Sequence, residues 1–256
     1  MRDSPSDLSN DRLIAIIRSI VPSSLRRNLV RATRRPPVGR VDFHNLRRLT
    51  PISRSWGGDR GLPIDRYYIE QFLHNHRGDI QGRVLEIGND LYTKKFGGTQ
   101  VLQSDVLDLD ANNPKATIVS NLVEGKTFSP EIFDCIICTQ TLQQIFDIQS
   151  AILTLQRILK PDGVLLATFP GISQIDRYAM DQWGDYWRFT ALSAKKMLLE
   201  VFPSSAVTIQ TFGNVLSAVA FLHGLASEEL SREELDFNDK DYQVLIAVKA
   251  MKSEVV

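Results

Sequence analysis

The first chemical signal is a pair of carboxylates around a glycine. The stretch Arg83-Val84-Leu85-Glu86-Ile87-Gly88-Asn89-Asp90 reads as a short buried strand feeding a tight turn. A carboxylate at the end of such a strand is too costly to bury alone. Glu86 is therefore expected over the carboxyl edge of a sheet, where open α/β sheets bind ligands. Gly88 would let the backbone come close to that ligand. Asp105 follows a second apolar stretch, Val101-Leu102, nineteen positions after Glu86. An acid about 20 residues past a glycine turn accepts ribose hydroxyls in nucleotide-binding βαβ units. The motif has one glycine where three are usual, so the rest of the chain must supply the remaining argument.

The elements that would position these groups follow from the pattern. Strands are expected at 83–87, 99–103, 117–119, 133–138, 164–169, 207–211 and 242–248. Helices are expected at 64–76, 148–159 and 193–202, the last with Ser193 as its cap. Strand–helix alternation implies a mostly parallel sheet with right-handed crossovers. Between Asp105 and Thr117 stand Asp108, Asp110, Asn112, Asn113 and Pro114, leaving room for a stunted helix at most.

The chain has 256 residues, 43% hydrophobic and 23% charged, ordinary for a soluble globular protein. The net charge is zero but unevenly spread. Residues 1–56 hold twelve arginines and four aspartates with no lysine or glutamate, a balance of +8. We read residues 1–60 as a basic arm and linker and 61–256 as the main domain. In the arm, Leu13, Ile14, Ile16, Ile17 and Ile20 share a helical face. A second helix from Pro22 sets Leu25, Leu29 and Val30 against Arg26, Arg27, Arg31, Arg34 and Arg35. Such a stretch lies on an anionic membrane, or docks its apolar face on the body or a second copy, making an oligomer.

Cys135 and Cys138 have C-x-x-C spacing, yet residues three apart on a strand face opposite ways, so both read as buried thiols. Without a disulfide framework a reducing compartment is expected. No apolar run reaches about 18 residues, and the start of the chain lacks a signal peptide's core. The expected location is cytoplasmic, or peripheral at the inner membrane face. His74 and His76 lack a third ligand of suitable spacing, so no metal is implied.

Three segments together resemble class I S-adenosylmethionine-dependent methyltransferases of the type 11 kind. Val84-Leu85-Glu86-Ile87-Gly88 resembles their first cofactor motif. Phe133-Asp134-Cys135-Ile136-Ile137-Cys138-Thr139-Gln140-Thr141-Leu142 resembles their fourth strand and loop, and Arg157-Ile158-Leu159-Lys160-Pro161-Asp162-Gly163 the turn before their fifth. The resemblance implies a Rossmann-like α/β fold. Its seven-stranded sheet would be mostly parallel with an antiparallel last strand, have helices on both faces and carry the N-terminal helical arm. The implied cofactor is S-adenosylmethionine. Glu86 would meet its methionine end, Asp105 its ribose, and Asn121 with Leu122 its adenine; Thr139 and Gln140 share the rim. Asp90 and Tyr92 replace two glycines of the motif, and Asp90 is the residue able to keep a left-handed turn. Gln144 stands where a histidine is common. In the charged segment 58–68, Arg66 would meet the cofactor's carboxylate and Tyr67 or Tyr68 would wall the pocket; a simple ion-paired helix start is the alternative.

The acceptor would be read from the stretch after the fifth strand. Tyr178, Trp183, Trp187 and Arg188 interleave rings and charge, which suits a sugar or another polar ring, or a lid whose aromatics merely pack. Together with Gln144 they are the candidate acceptor contacts. A hydroxyl acceptor needs a base, and Asp185 or Asp181 is placed to serve. The expected activity is methylation of a small polar acceptor, with O-methylation of a saccharide or glycan precursor as the specific form. The rivals are a non-catalytic binding module on the same fold, a nicotinamide-dependent oxidoreductase and a nucleic-acid methyltransferase. The Lys160–Gly163 turn and the reversed last strand argue against the second. No nucleic-acid partner is expected.

Overall fold

Alternating apolar runs become a single seven-stranded sheet in the computed structural model, which describes residues 40–125 and 128–253 together with Pro22 and Pro36. The arm helices expected before residue 36 lie outside the described residues. The chain divides into two compact units, Met1–Leu49 and Thr50–Val256. Among the described residues of the first, a 3-10 turn spans His44–Leu46.

The second unit holds the sheet. Its strands are β1 Gly82–Ile87, β2 Val101–Asp108, β3 Ile118–Val119, β4 Phe133–Thr139, β5 Leu159–Pro170, β6 Val207–Phe212 and β7 Leu245–Met251. Their order across the sheet is β3-β2-β1-β4-β5-β7-β6. β1 to β5 pair in parallel, and β7 runs antiparallel to both β5 and β6. The expected Rossmann-like α/β sheet with its reversed last strand is therefore present. The helices are α1 Ile64–Asn75, α2 Ile148–Ile158, α3 Arg177–Gln182, α4 Ala191–Leu199, α5 Val215–Leu222 and α6 Arg232–Asp236. Thr190, not Ser193, is the cap of α4, and the two side chains close a capping box.

Each face of the sheet has its own core. Leu85, Ile136, Cys138, Leu165 and Val248 pack against α2 and α4 residues such as Leu155 and Leu198. Val84, Cys135, Ile137, Leu166 and Ala247 pack against Tyr68, Phe72 and Phe221 from α1 and α5. The two cysteines do face opposite ways. Both are fully buried, and burial pushes the Cys138 thiol up to about 12.

β2 departs from the expected layout in a way that matters for the site. The expected span is 99–103, with Asp105 following the apolar stretch Val101-Leu102. Instead it runs on through Val106 and Leu107 to Asp108. Asp105 can sit mid-strand because the neighbouring strand neutralises it. Arg83 Nε donates to it at 2.7 Å, Thr117 Oγ1 at 3.1 Å and Gln103 Nε2 at 3.1 Å. A carboxylate supplied with a cation and two further donors tolerates the interior.

Candidate active site

The strand order reverses between β1 and β4, and at that switch point the chain leaves both strands toward the same rim. β1 ends into Gly88, whose φ of 82° is open to glycine at no steric cost. A Cβ built there would meet nothing within 4 Å, so the backbone faces open space. Gly88 N donates to Leu107 O at 2.8 Å, which locks the turn to the end of β2. There Asp108 emerges on the rim. Asn113 Nδ2 bridges the Asp108 carboxylate, at 2.6 Å, and the Gly88 carbonyl, at 2.8 Å. One amide thus ties together the two strand ends.

β4 ends at Thr139, and Gln140 turns the chain with φ of 48°. A left-handed glutamine is uncommon, and strain of this kind is held where surrounding bonds over-determine it. Gln140 N donates to Thr168 O at 3.1 Å, and its carbonyl accepts from Gln143 Nε2 at 2.7 Å.

Two chambers meet at this turn. The first, about 450 Å³, is lined by Ile87, Gly88, Asp108, Asn121, Leu122 and Thr139, with Trp183 and Tyr186 at its mouth. The second, about 330 Å³, is polar, lined by Asp65, Arg66, Gln143, Gln174, Asp185 and Arg188 among others. Gln140 and Gln144 line both. Gln144 Oε1 accepts from Trp183 Nε1 at 3.1 Å, which pins the indole over the junction.

Several expected site residues stand elsewhere. Asp105 is 5% exposed and spent on Arg83; Asp108, three positions further along β2, stands at its rim end. Glu86 is 2% exposed and points inward. Its carboxylate accepts from Tyr92 N at 3.1 Å, Thr93 N at 2.7 Å and Thr93 Oγ1 at 2.8 Å. Burial pushes this carboxyl up, and those three donors only partly counter it. Glu86 stays inside instead of reaching the rim because the following loop folds back to satisfy the acid. Asp90 adopts no left-handed backbone and instead pairs with Lys94 at 2.5 Å and Lys115 at 3.5 Å. Tyr92, in place of a glycine, is buried and stacks on Phe96 with centroids 6.2 Å apart. Desolvation pushes its hydroxyl up to about 12.

Tyr67 turns away to Asp236, its hydroxyl donating at 2.8 Å, and Tyr68 is core, donating to Leu235 O. Tyr178 lies over a separate hollow with Arg54, Trp56 and Ile175. Trp187 stacks on Phe146 at 5.8 Å and donates to Ile145 O. Neither expected base is poised for proton transfer. Asp181 is an exposed surface acid facing Arg177 at 3.7 Å. Asp185 lines the polar chamber, but both its oxygens bind Arg188 at 2.8 Å and one also accepts Asp176 N. Burial raises the Asp185 carboxyl, and the Arg188 hydrogen bonds outweigh it, leaving it below the usual carboxylate range. That favours a permanent carboxylate.

The sequence reading missed Asp108, Asn113, Gln143 and Asp65. One signal is present in the sequence: Asp108 lies twenty positions after Gly88, as Asp105 lies nineteen after Glu86. Asn113 and Gln143 carried no sequence signal, since their roles come from loops meeting in space.

A model of the methyltransferase domain matches residues 61–213, more than half of the chain. The ubiquinone biosynthesis O-methyltransferase of Rickettsia canadensis (strain McKiel) is 26% identical over 159 residues, which is 54% of this chain and 65% of that protein. The match thus spans less than two thirds of that relative's length. A SAM-dependent methyltransferase from Archaeoglobus fulgidus aligns at 14% identity and TM-score 0.49, covering 73% of this chain and 94% of its own. The N-methyltransferase NodS from Bradyrhizobium japonicum WM9, solved with S-adenosyl-L-homocysteine, aligns at 15% identity and TM-score 0.47, covering 77% and 90%. With the family model on more than half of the chain, including the glycine turn, the protein belongs to the methyltransferase-domain family.

Proposed function

We propose that the enzyme methylates a hydroxyl of a small polar acceptor held in the chamber lined by Gln143, Asp185 and Arg188. A saccharide or similar polyhydroxylated ring is the acceptor class we favour. The observation that carries this reading is the pair of chambers joined at Gln140 and Gln144. A donor in one chamber and an acceptor in the other would meet at that junction.

The residues present fit the cofactor. The open face of Gly88 admits a ligand against the backbone, and Asp108 on the rim offers acceptor lone pairs to ribose hydroxyls. Asn121 and Leu122 border the flat part of the same chamber, and a cofactor tail reaching past the Gln140 junction would bring its carboxylate to Arg66 at the edge of the polar chamber. When bound, S-adenosylmethionine supplies an electrophilic methyl group on a sulfonium. The chain's own contribution is to orient the two partners and exclude water, which for an in-line displacement is most of the work.

Unpartnered buried atoms support a polar acceptor. Gln143 Oε1 and Arg188 Nε, both in this chamber, have no hydrogen-bond partner in the structure. Buried polar atoms left open are costly, so a ligand offering one donor and one acceptor would complete both. The Asp185–Arg188 ion pair carries no net charge, so its side of the chamber suits hydroxyls better than a free anion. The new O–CH3 bond would form as the S–CH3 bond breaks to a neutral thioether, and the hydroxyl proton would pass to solvent rather than to Asp185. The relative's printed role as an O-methyltransferase is in keeping with an oxygen acceptor.

Calorimetry with S-adenosylhomocysteine is the first test. We expect binding in the micromolar range, and no heat at millimolar ligand would replace the enzyme by a non-catalytic module on this fold. Methyl transfer from labelled cofactor to a panel of monosaccharides and phenols then tests the acceptor class. Transfer to phenols alone would overturn the saccharide assignment.

A further inference from the structure

Behind the polar chamber lies the hollow over which Tyr178 stands. It measures about 460 Å³ and is walled by Trp56, Ile175 and Tyr178, with Arg54 and Arg177 among them. Trp56, Gln174 and Asp176 line both this hollow and the polar chamber. The two cavities therefore adjoin, and a molecule longer than one ring spans them.

The charges of the hollow favour an anion. Among the described residues the Arg54 guanidinium makes no hydrogen bond or ion pair; only its carbonyl is used, accepting from Gln174 Nε2 at 2.9 Å. Arg177 meets only Asp181, at 3.7 Å, and both side chains are more than half exposed. Such a pair contributes little and yields to a better partner. The acid on the wall, Asp176, is engaged, because its Oδ1 caps α3 through Ala179 N at 3.0 Å. Two guanidiniums without firm partners thus face one committed carboxylate. A carboxylate ligand would be saturated by a single guanidinium fork. A phosphoryl group has three terminal oxygens and up to two charges to share between two forks.

The wall between the cavities carries backbone strain. Trp56 has a φ of 55°, a left-handed conformation that a bulky side chain adopts at a cost. Gly57 follows at 89°, where a Cβ would meet Leu225 O at 2.6 Å. Bonds on both sides hold the turn: Ser55 N donates to Ser53 Oγ at 3.0 Å, and Gly58 N to Ser55 O at 2.8 Å. The indole is thereby fixed where ring and charge meet. Tyr178 packs edge-on against Trp183 with centroids 5.6 Å apart, and Trp183 is the ring pinned by Gln144 at the junction.

We propose that this hollow seats a phosphoryl group carried by the acceptor, whose hydroxylated ring lies in the polar chamber. Arg54 and Arg177 take the phosphoryl oxygens, and Trp56 packs against the part of the molecule between ring and phosphate. The inference rests on the acceptor reading above and narrows the substrate class to a phosphorylated saccharide. It also supplies what fixes which end of the acceptor enters.

The test joins calorimetry to methyl transfer, both on the full chain. With S-adenosylhomocysteine bound, wild-type protein should bind inorganic phosphate saturably in about the millimolar range. The double variant Arg54→Gln, Arg177→Gln should bind phosphate at least about tenfold more weakly, while its affinity for S-adenosylhomocysteine stays within about threefold of wild type. With labelled cofactor, wild-type protein should methylate sugar 1-phosphates with a KM at least about tenfold below that of the matching free sugars. Absence of saturable phosphate binding to wild type would overturn the proposal without any variant having to fold. Undiminished binding to the double variant would also overturn it, by placing the anion elsewhere. Transfer to free and phosphorylated sugars at equal KM would remove the phosphoryl seat and keep the saccharide reading. Phosphate binding that the double variant loses, with no transfer to any saccharide, would uphold the seat and remove that reading instead.

Discussion

Asp105 and Asp108 are three residues apart on one strand, and their surroundings separate structure from binding. Asp105 is buried against Arg83, so removing its charge leaves a half-buried guanidinium without its partner. We expect Asp105→Asn to lower unfolding stability by about 2 kcal/mol, discounted because Arg83 is partly solvated, while affinity for S-adenosylhomocysteine stays within about threefold. Asp108→Ala should do the reverse. It should cost about tenfold to a hundredfold in affinity and shift thermal stability little. Denaturant titration and calorimetry on the same two variants check both halves. If Asp105 rather than Asp108 controls affinity, the rim has been misassigned. Both acids follow apolar runs in the sequence, and nothing local tells them apart. The difference lies with Arg83, twenty-two positions earlier, which reaches Asp105 only once β1 and β2 have paired.

At the scale of elements, a helix cap and an ion pair hold segments outside the regular strands and helices. Asn214 caps α5 through Ser217 N at 3.0 Å, and its amide donates to Glu234 O at 2.6 Å and Phe237 O at 2.8 Å. Asn214 is 5% exposed, so Asn214→Ala leaves one cap lost and two carbonyls short of a donor. We expect a loss of about 2 kcal/mol and a melting temperature lower by roughly 4–8 °C, read by calorimetric scanning. A change under about 1 °C would show that α5 and α6 hold without it. The Asp185–Arg188 pair ties the segment after β5 to itself, through Gln174 O and Asp176 N. Its carboxyl is depressed in the folded state, so its stabilisation is present above the ordinary aspartate range. That contribution drains away as pH falls through the lowered value. Melting temperature against pH should therefore drop less steeply below about pH 4 in Asp185→Asn than in wild type. Parallel curves would show the pair to be stability-neutral.

At the scale of the whole molecule, the charge asymmetry remains a sequence property with a functional reading attached. Among the described residues no helix is long and apolar enough to cross a membrane. We propose that the arginine-rich residues 1–60 hold the methyltransferase body, residues 61–256, at an anionic membrane surface. The full chain should then co-sediment with vesicles containing phosphatidylserine, and release by salt should follow screening of exposed charge. A chain starting at Thr50, the first residue of the second compact unit, should stay in the supernatant. Equal partitioning of the two would remove the idea.

The sequence by itself determined the architecture. Hydrophobic period, the glycine turn and the Lys160–Gly163 turn are local, and together they specify a parallel sheet and its switch point, because strand, turn and helix preferences act over a few residues. It also determined that Cys135 and Cys138 face opposite cores, since alternation along a strand is a matter of backbone geometry. Only the tertiary structure decided which acids are free to meet a ligand. Whether a carboxylate is spent or open depends on donors that arrive from distant parts of the chain. Arg83 consumes Asp105 across two strands, Thr93 consumes Glu86 by folding back, Arg188 consumes Asp185, and Asp65 is left with a vacant oxygen because no donor reaches it.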